Sequence, residues 1–186
     1  KYTYYVESNG LANNNKLKSK EVEGEVKTGI AGYSYVIDNK SNTIPDNTID
    51  TVNGEIKLSN TLTTDYYVHI IAVDKVGNVG EVLHYYVDKT PPSTPVINLS
   101  NSNWTIPVVN FNISNIKDNH SGIGKVEYRI PKVSNNWITY TEGSKVDIPS
   151  SLKGLIDIEA RVIDKNNNIS SIAKTTAKID DIKPVI

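Results

Sequence analysis

Tyr66-Tyr67-Val68-His69-Ile70-Ile71-Ala72-Val73-Asp74-Lys75-Val76-Gly77-Asn78-Val79 is the stretch on which the fold turns. Side chains alternate sides along an extended chain, so Tyr66, Val68, Ile70 and Ala72 share one face of a strand. The polar run that follows, with Gly77 inside it, is a turn signal. A hairpin turning at Val76-Gly77 places Tyr67 opposite Tyr86 and His69 opposite His84.

The same stretch recurs. Ile70 to Val79 matches Glu159 to Ile169, with Asp74 over Asp164, 90 residues on. Upstream, the segment starting Gly29-Ile30 matches the one starting Gly122-Ile123, 93 residues on, with Tyr35 over Tyr128. Downstream, Asp88-Lys89-Thr90-Pro91 matches Asp181-Ile182-Lys183-Pro184, again 93 residues on. Three landmarks in one order at nearly one spacing indicate a duplicated unit. The boundary falls in Asp88 to Pro95, where Pro91, Pro92 and Pro95 stop a strand and stiffen a linker. Residues 1–90 and 91–186 are therefore expected to be two tandem domains, held at a limited range of angles.

Other segments alternate in the same way. Ile156, Ile158, Ala160 and Val162 interleave with Asp157, Glu159 and Arg161. Val126, Tyr128 and Ile130 interleave with Lys125, Glu127 and Arg129, and Val109, Phe111 and Ile113 with Asn110 and Asn112. Val22, Gly24 and Val26 alternate with glutamates, and Asn9-Gly10 and Asn53-Gly54 are hairpin-turn dipeptides. The second hairpin, given the register of the first, sets Glu159 opposite Lys174, an attractive pair. No segment carries a sustained helical period. The expected class is all-β: two tandem β-sandwiches with almost no helix, and Tyr35 and Tyr128 buried at equivalent core positions.

Composition narrows the function classes. Apolar residues at 38% and charged residues at 22% belong to a globular chain. Twenty Lys and Arg against 21 Asp and Glu leave no basic stripe for nucleic acid, and no apolar run approaches the roughly 20 residues that cross a bilayer. The absence of Cys rules out disulfides, thiolate catalysis and Cys-ligated zinc. It also suits a bacterial exported protein, and the lack of Met and of a signal peptide reads as an internal piece of a longer chain.

The segment Asp65 to Glu81 resembles the F strand, FG turn and early G strand of fibronectin type III domains. The resemblance implies that Tyr66 is the corner tyrosine whose hydroxyl bonds back to the backbone; Ile156 stands at that position in the second unit. The layout of both units is similar to the Ig-like repeats of Gram-positive surface proteins and of large secreted bacterial hydrolases. It implies an extracellular, secreted or wall-associated setting and says little about ligand, because such modules host many roles.

Candidate chemistry is sparse. His69, His84 and His120 sit in no catalytic motif, so no enzyme activity and no catalytic residue are expected. His69 facing His84 has the spacing of a transition-metal pair, but the sequence offers no third ligand, and no metal ligand is assigned. Asp38, Asp46 and Asp50 in the loop after Ile37, and Asp88 in the linker, leave structural calcium as the one cofactor to consider; otherwise none is expected. Tyr67, His69, Ile71, Val82, His84 and Tyr86 form one unusually apolar outward patch, a candidate contact surface or a face packed under a loop or neighbour. Trp104 and Trp137 are expected in core or edge packing rather than stacked on sugars. An intramolecular Lys–Asn isopeptide bond needs a buried Lys, Asn and acid, and these residues fall mostly on polar faces.

The expected function is a non-catalytic spacer or stalk. The alternatives are an adhesive or carbohydrate-binding module, or an accessory region of a secreted hydrolase. The expected partners are neighbouring domains of the same polypeptide and a host or cell-wall protein or glycan. The chain is expected to be monomeric, without nucleic acid or membrane insertion.

Overall fold

The computed structural model describes residues 3–5, 18–20, 28–56, 58 and 62–183. The chain forms two compact units, Lys1–Thr90 and Pro91–Ile186. Every regular element among the described residues is a strand. The alternating segment around Val22 and the Asn9-Gly10 turn lie outside the described residues.

Unit 1 contains β1 (Thr3–Tyr5), β2 (Lys18–Lys20), β3 (Ile30–Asp38), β4 (Tyr66–Asp74) and β5 (Leu83–Val87). β1 pairs antiparallel with β2. The other three make an antiparallel sheet in the order β3-β4-β5. The inward stripe read from the sequence is its core: Tyr66, Val68, Ile70 and Ala72 are buried with Tyr33, and Tyr35, Ile37, Tyr85 and Val87 pack around them. Tyr66 is 4% exposed, and burial raises its phenol pKa. Residues 59–61, just upstream of it, lie outside the described residues.

Unit 2 contains β6 (Val96–Leu99), β7 (Asn110–Ser114), β8 (Ile123–Arg129), β9 (Ile138–Thr139), β10 (Val146–Asp147), β11 (Gly154–Asp164) and β12 (Ala173–Ile179). They form two antiparallel sheets, β10-β7-β6 and β12-β11-β8-β9, three strands against four. Val109, Phe111 and Ile113 from one side meet Val126, Ile156, Ile158, Ala160, Val162, Ala177 and Ile179 from the other. The Phe111 and Tyr128 rings meet edge-on at 5.4 Å. Ile156 and Ile158 are fully excluded from water, worth about 1.5–3 kcal/mol each as transferred area. Tyr140 is the buried tyrosine that bonds to the backbone here: its hydroxyl donates to Ser144 O (2.7 Å) and accepts from Ile113 N (3.1 Å).

The repeat landmarks are structurally equivalent. Tyr35 pairs with Ile70 and Tyr128 with Ala160, the same position of each unit. Both rings pack against their cores but are half-buried rather than buried as expected. Gly29 and Gly122 both adopt positive φ (77° and 82°), and their carbonyls accept Lys75 N and Lys165 N. One residue later but one, Ala31 and Gly124 are each the extra residue of a β-bulge against β4 and β11.

The two hairpin turns also match. Asp74 N donates to Asn78 O, and Asp164 N to Asn168 O. The fourth residue of each turn is left-handed: Gly77 at φ 91° and Asn167 at φ 66°. Each turn is centred one half-residue away from the strands it joins. Val73 bridges Val79, whereas Ile70 pairs with Leu83; Ile163 bridges Ile169, whereas Ala160 pairs with Ala173. That irregularity restores the register read from the sequence, with Tyr67 opposite Tyr86, His69 opposite His84 and Glu159 opposite Lys174.

Candidate functional site

The outer face of the unit 1 sheet brings the candidate contact residues together. Ser34, Val36 and Asp38 on β3 pair with Ile71, His69 and Tyr67 on β4, and the last two pair with His84 and Tyr86 on β5. The face is not the open patch that alternation alone suggests. His69 is 0% and Ile71 3% exposed; Tyr67, Val82 and Tyr86 are half-buried, and His84 alone of the six is exposed. The loop after β3 lies over the Gly32–Ser34 end. Ser34 Oγ donates to Asp46 Oδ1 (3.3 Å) and Asp50 Oδ2 (3.2 Å), and Tyr35 N donates to Asp50 Oδ2 (2.8 Å). A Cβ on Gly32 would sit 2.4 Å from Ile49 Cγ2, so the loop presses on bare backbone there.

At the other end the side chains form a polar chain. His69 Nε2 lies 3.2 Å from Asp38 Oδ1, and His69 Nδ1 lies 2.6 Å from His84 Nδ1. The Tyr67 ring stacks beside His69 at 5.8 Å between centroids, and Tyr86 tilts against Tyr67 at 5.1 Å. Tyr86 Oη donates to Asp65 Oδ2 (2.7 Å); burial first, and then the Asp65 carboxylate, push its pKa up. Asp65 also accepts Lys89 N and Thr90 Oγ1, tying the end of β5 to the start of β4.

The acidic loop residues hold their own turns. Asp38 accepts Lys40 N (2.9 Å) and Thr43 Oγ1 (2.6 Å), and these bonds, Thr43's first, lower its pKa. Asp46 accepts Thr48 N and Ser34 Oγ, and Asp50 accepts Tyr35 N and Ser34 Oγ. In the linker Asp88 Oδ1 accepts Thr90 N. Within unit 2, Asp118 Oδ2 accepts His120 N and Gly122 N, its Oδ1 is buried with no hydrogen-bond partner, and one carboxylate oxygen of Asp118 lies within 4.8 Å of one of Asp164. Nothing in the sequence marks this pair, because 46 residues separate two ordinary turn-forming aspartates.

The outer face of the large unit 2 sheet carries two enclosed carboxylates. Glu127 and Glu159 are 6% and 7% exposed, enclosed by their partners. Glu159 accepts Arg129 Nε (2.7 Å) and Nη2 (2.6 Å) and pairs with Lys174 Nζ at 2.8 Å. Glu127 binds Arg161 (2.7 Å) and Lys125 (2.6 Å). Both guanidinium groups lie over the Trp137 ring, at 4.5 and 4.2 Å from its centre, so Trp137 packs at the sheet edge as expected. Trp104 does not: it is 58% exposed, because Thr105 is hooked onto β12 through Lys178 O and Asp180 N and leaves its neighbour outside. With Ile106 and Val108 it makes an apolar ridge at every second position of Trp104–Val108.

No protein-family model matches the chain, and no curated protein matches it. Similar solved structures include the fibronectin(III)-like modules of Clostridium thermocellum CbhA, with TM-score 0.46, 13% identity, and 95% of this chain and 94% of that one covered. The central fibronectin-III array of RIM-binding protein gives TM-score 0.32 at 12% identity, over 97% of this chain and 69% of that one. The glycoside hydrolase domain of Endo-D from Streptococcus pneumoniae R6 gives 0.33 at 14% identity, over 89% of this chain and 31% of that one. The all-β antiparallel fold stands on the sheet topology above.

Proposed function

We propose that the chain is a pair of tandem fibronectin III-like or Ig-like modules serving as a non-catalytic spacer in a secreted or cell-surface bacterial protein. The observation that carries this reading is duplication down to turn geometry. Asp74/Asn78 and Asp164/Asn168 close the same turn, and Gly29 and Gly122 hold the same left-handed position before the same bulge. A repeated scaffold whose loop carboxylates are engaged by their own backbone is suited to mechanical spacing rather than chemistry. The linker prolines Pro91, Pro92 and Pro95 fix φ and favour extended neighbours, which supports a stiff joint. Small-angle scattering of the chain tests this. An elongated, narrow distribution that broadens when the three prolines become Gly or Ser fits a spacer. A wide ensemble containing folded-back shapes in the unaltered chain rejects it.

A second reading, an adhesive or glycan-binding module, is favoured by the exposed ridge of Trp104, Ile106 and Val108. Binding of a cell-wall glycan that is lost in Trp104→Ala, with the melt unchanged, would select it.

A further inference from the structure

We propose that His69 and His84 form a two-nitrogen site for a tetragonal divalent cation, of which Cu²⁺ is the best fit, with Asp38 as the outer carboxylate that orients His69.

An ionised carboxylate can only accept, so the Asp38 Oδ1 contact at 3.2 Å requires a hydrogen on His69 Nε2. In the neutral ring that leaves the lone pair on Nδ1, the atom aimed at His84 Nδ1. A carboxylate behind a histidine is the arrangement that fixes tautomer and ring direction and raises basicity in metal sites. Asp38 is itself held by Lys40 N and Thr43 Oγ1, and Tyr67 stacks beside the His69 ring. One ligand is therefore pre-oriented in a dry setting. The other, His84, is exposed, leaving a route for an ion and room for water ligands.

The two facing nitrogens lie close enough to share one cation. Two nitrogens about 2.0 Å from a metal are about 2.8 Å apart at the 90° angle of a tetragonal site, and about 3.3 Å apart at the tetrahedral angle. The observed Nδ1···Nδ1 separation is 2.6 Å. Rotation of the exposed His84 side chain widens the contact to accommodate a cation without moving the strands. Copper also stands highest in affinity for nitrogen donors among the first-row divalent ions. In the bound form both imidazoles remain neutral. The ion replaces the proton shared by the facing Nδ1 atoms, His84 carries its hydrogen on Nε2, and His69 keeps its Nε2–H toward Asp38. The cation would thus clip β4 to β5, adding a link between strands of unit 1.

The test is calorimetric titration of the whole chain with CuCl₂ and, separately, ZnCl₂, near pH 7.5 in a non-coordinating buffer, with electron paramagnetic resonance of the copper form. The expected result is one copper per chain with a two-nitrogen equatorial signature, at least tenfold weaker zinc binding, and a raised melting temperature of unit 1. His84→Ala, an exposed position, should weaken copper at least tenfold, and Asp38→Asn by about 10- to 100-fold. His120→Ala should leave it unchanged. Copper binding undiminished in His84→Ala, or zinc as tight as copper, would overturn the proposal. A Asp38→Asn variant that melts like the parent yet binds copper equally well would remove Asp38 from it.

Discussion

Glu159→Gln is the substitution that most directly probes what holds the outer face of unit 2. Glu159 is only 10% exposed in its side chain and accepts two bonds from the Arg129 fork and one from Lys174. Its two partners differ: the Arg129 side chain is 25% exposed and that of Lys174 69%. A glutamine keeps the shape but leaves two cations facing a neutral amide. Exposed pairs contribute about 0.2–1 kcal/mol, and breaking a buried pair costs about 3–5, so a mostly enclosed, three-bond carboxylate should cost about 2–3 kcal/mol. Lys174→Met should cost about 0.5 kcal/mol and Arg129→Met distinctly more, since Arg129 also covers Trp137 and bonds Asn135 O. The Lys174 and Arg129 hydrogen bonds lower the Glu159 pKa. A carboxyl depressed in the folded state adds stability above its unfolded value, about 4.3, and loses it as pH falls through the lower folded value. The difference between parent and Glu159→Gln should therefore be full above about pH 5 and shrink in stronger acid. Both tryptophans, Trp104 and Trp137, lie in unit 2, so urea unfolding followed by tryptophan fluorescence reads this unit within the whole chain. A loss below about 0.5 kcal/mol at pH 7, or a difference that grows in acid, would show that this enclosed ion-pair network does not stabilise unit 2.

Three further outcomes follow from particular contacts. Ile158→Ala, at a fully buried core position, should destabilise unit 2 by about 2–5 kcal/mol in the same fluorescence assay. Gly124→Ala places a Cβ 2.5 Å from Asp164 O at the bulge, so unit 2 should lose about 1–3 kcal/mol, with amide exchange quickening around Asp164. Gly77 and Asn167 hold the same left-handed place in the two turns; calorimetry of unit 1 should show Gly77→Asn nearly neutral and Gly77→Ala about 1 kcal/mol destabilised.

The sequence alone was enough for the elements that depend on local alternation and on repetition. The inward faces of β4, β8 and β11, the pairing of His69 with His84, and the Glu159–Lys174 pair all follow from a two-residue period plus the position of one turn. Even an error at the turn, whose centre lies half a residue off, left the strand register intact, because burial of one face fixes it. What it could not give is what covers a face. Alternation says that His69 and Ile71 point away from the core of unit 1, but only folding lays the Asp46–Asp50 segment near them and brings Asp38, 31 residues away, to His69 Nε2. The same limit hid the Glu127 and Glu159 networks under Trp137 and left Trp104 outside. Strand pattern is a short-range property of the chain. Whether a side chain meets water, a loop or a distant carboxylate depends on contacts between residues far apart in sequence, and those exist only once the tertiary structure has formed.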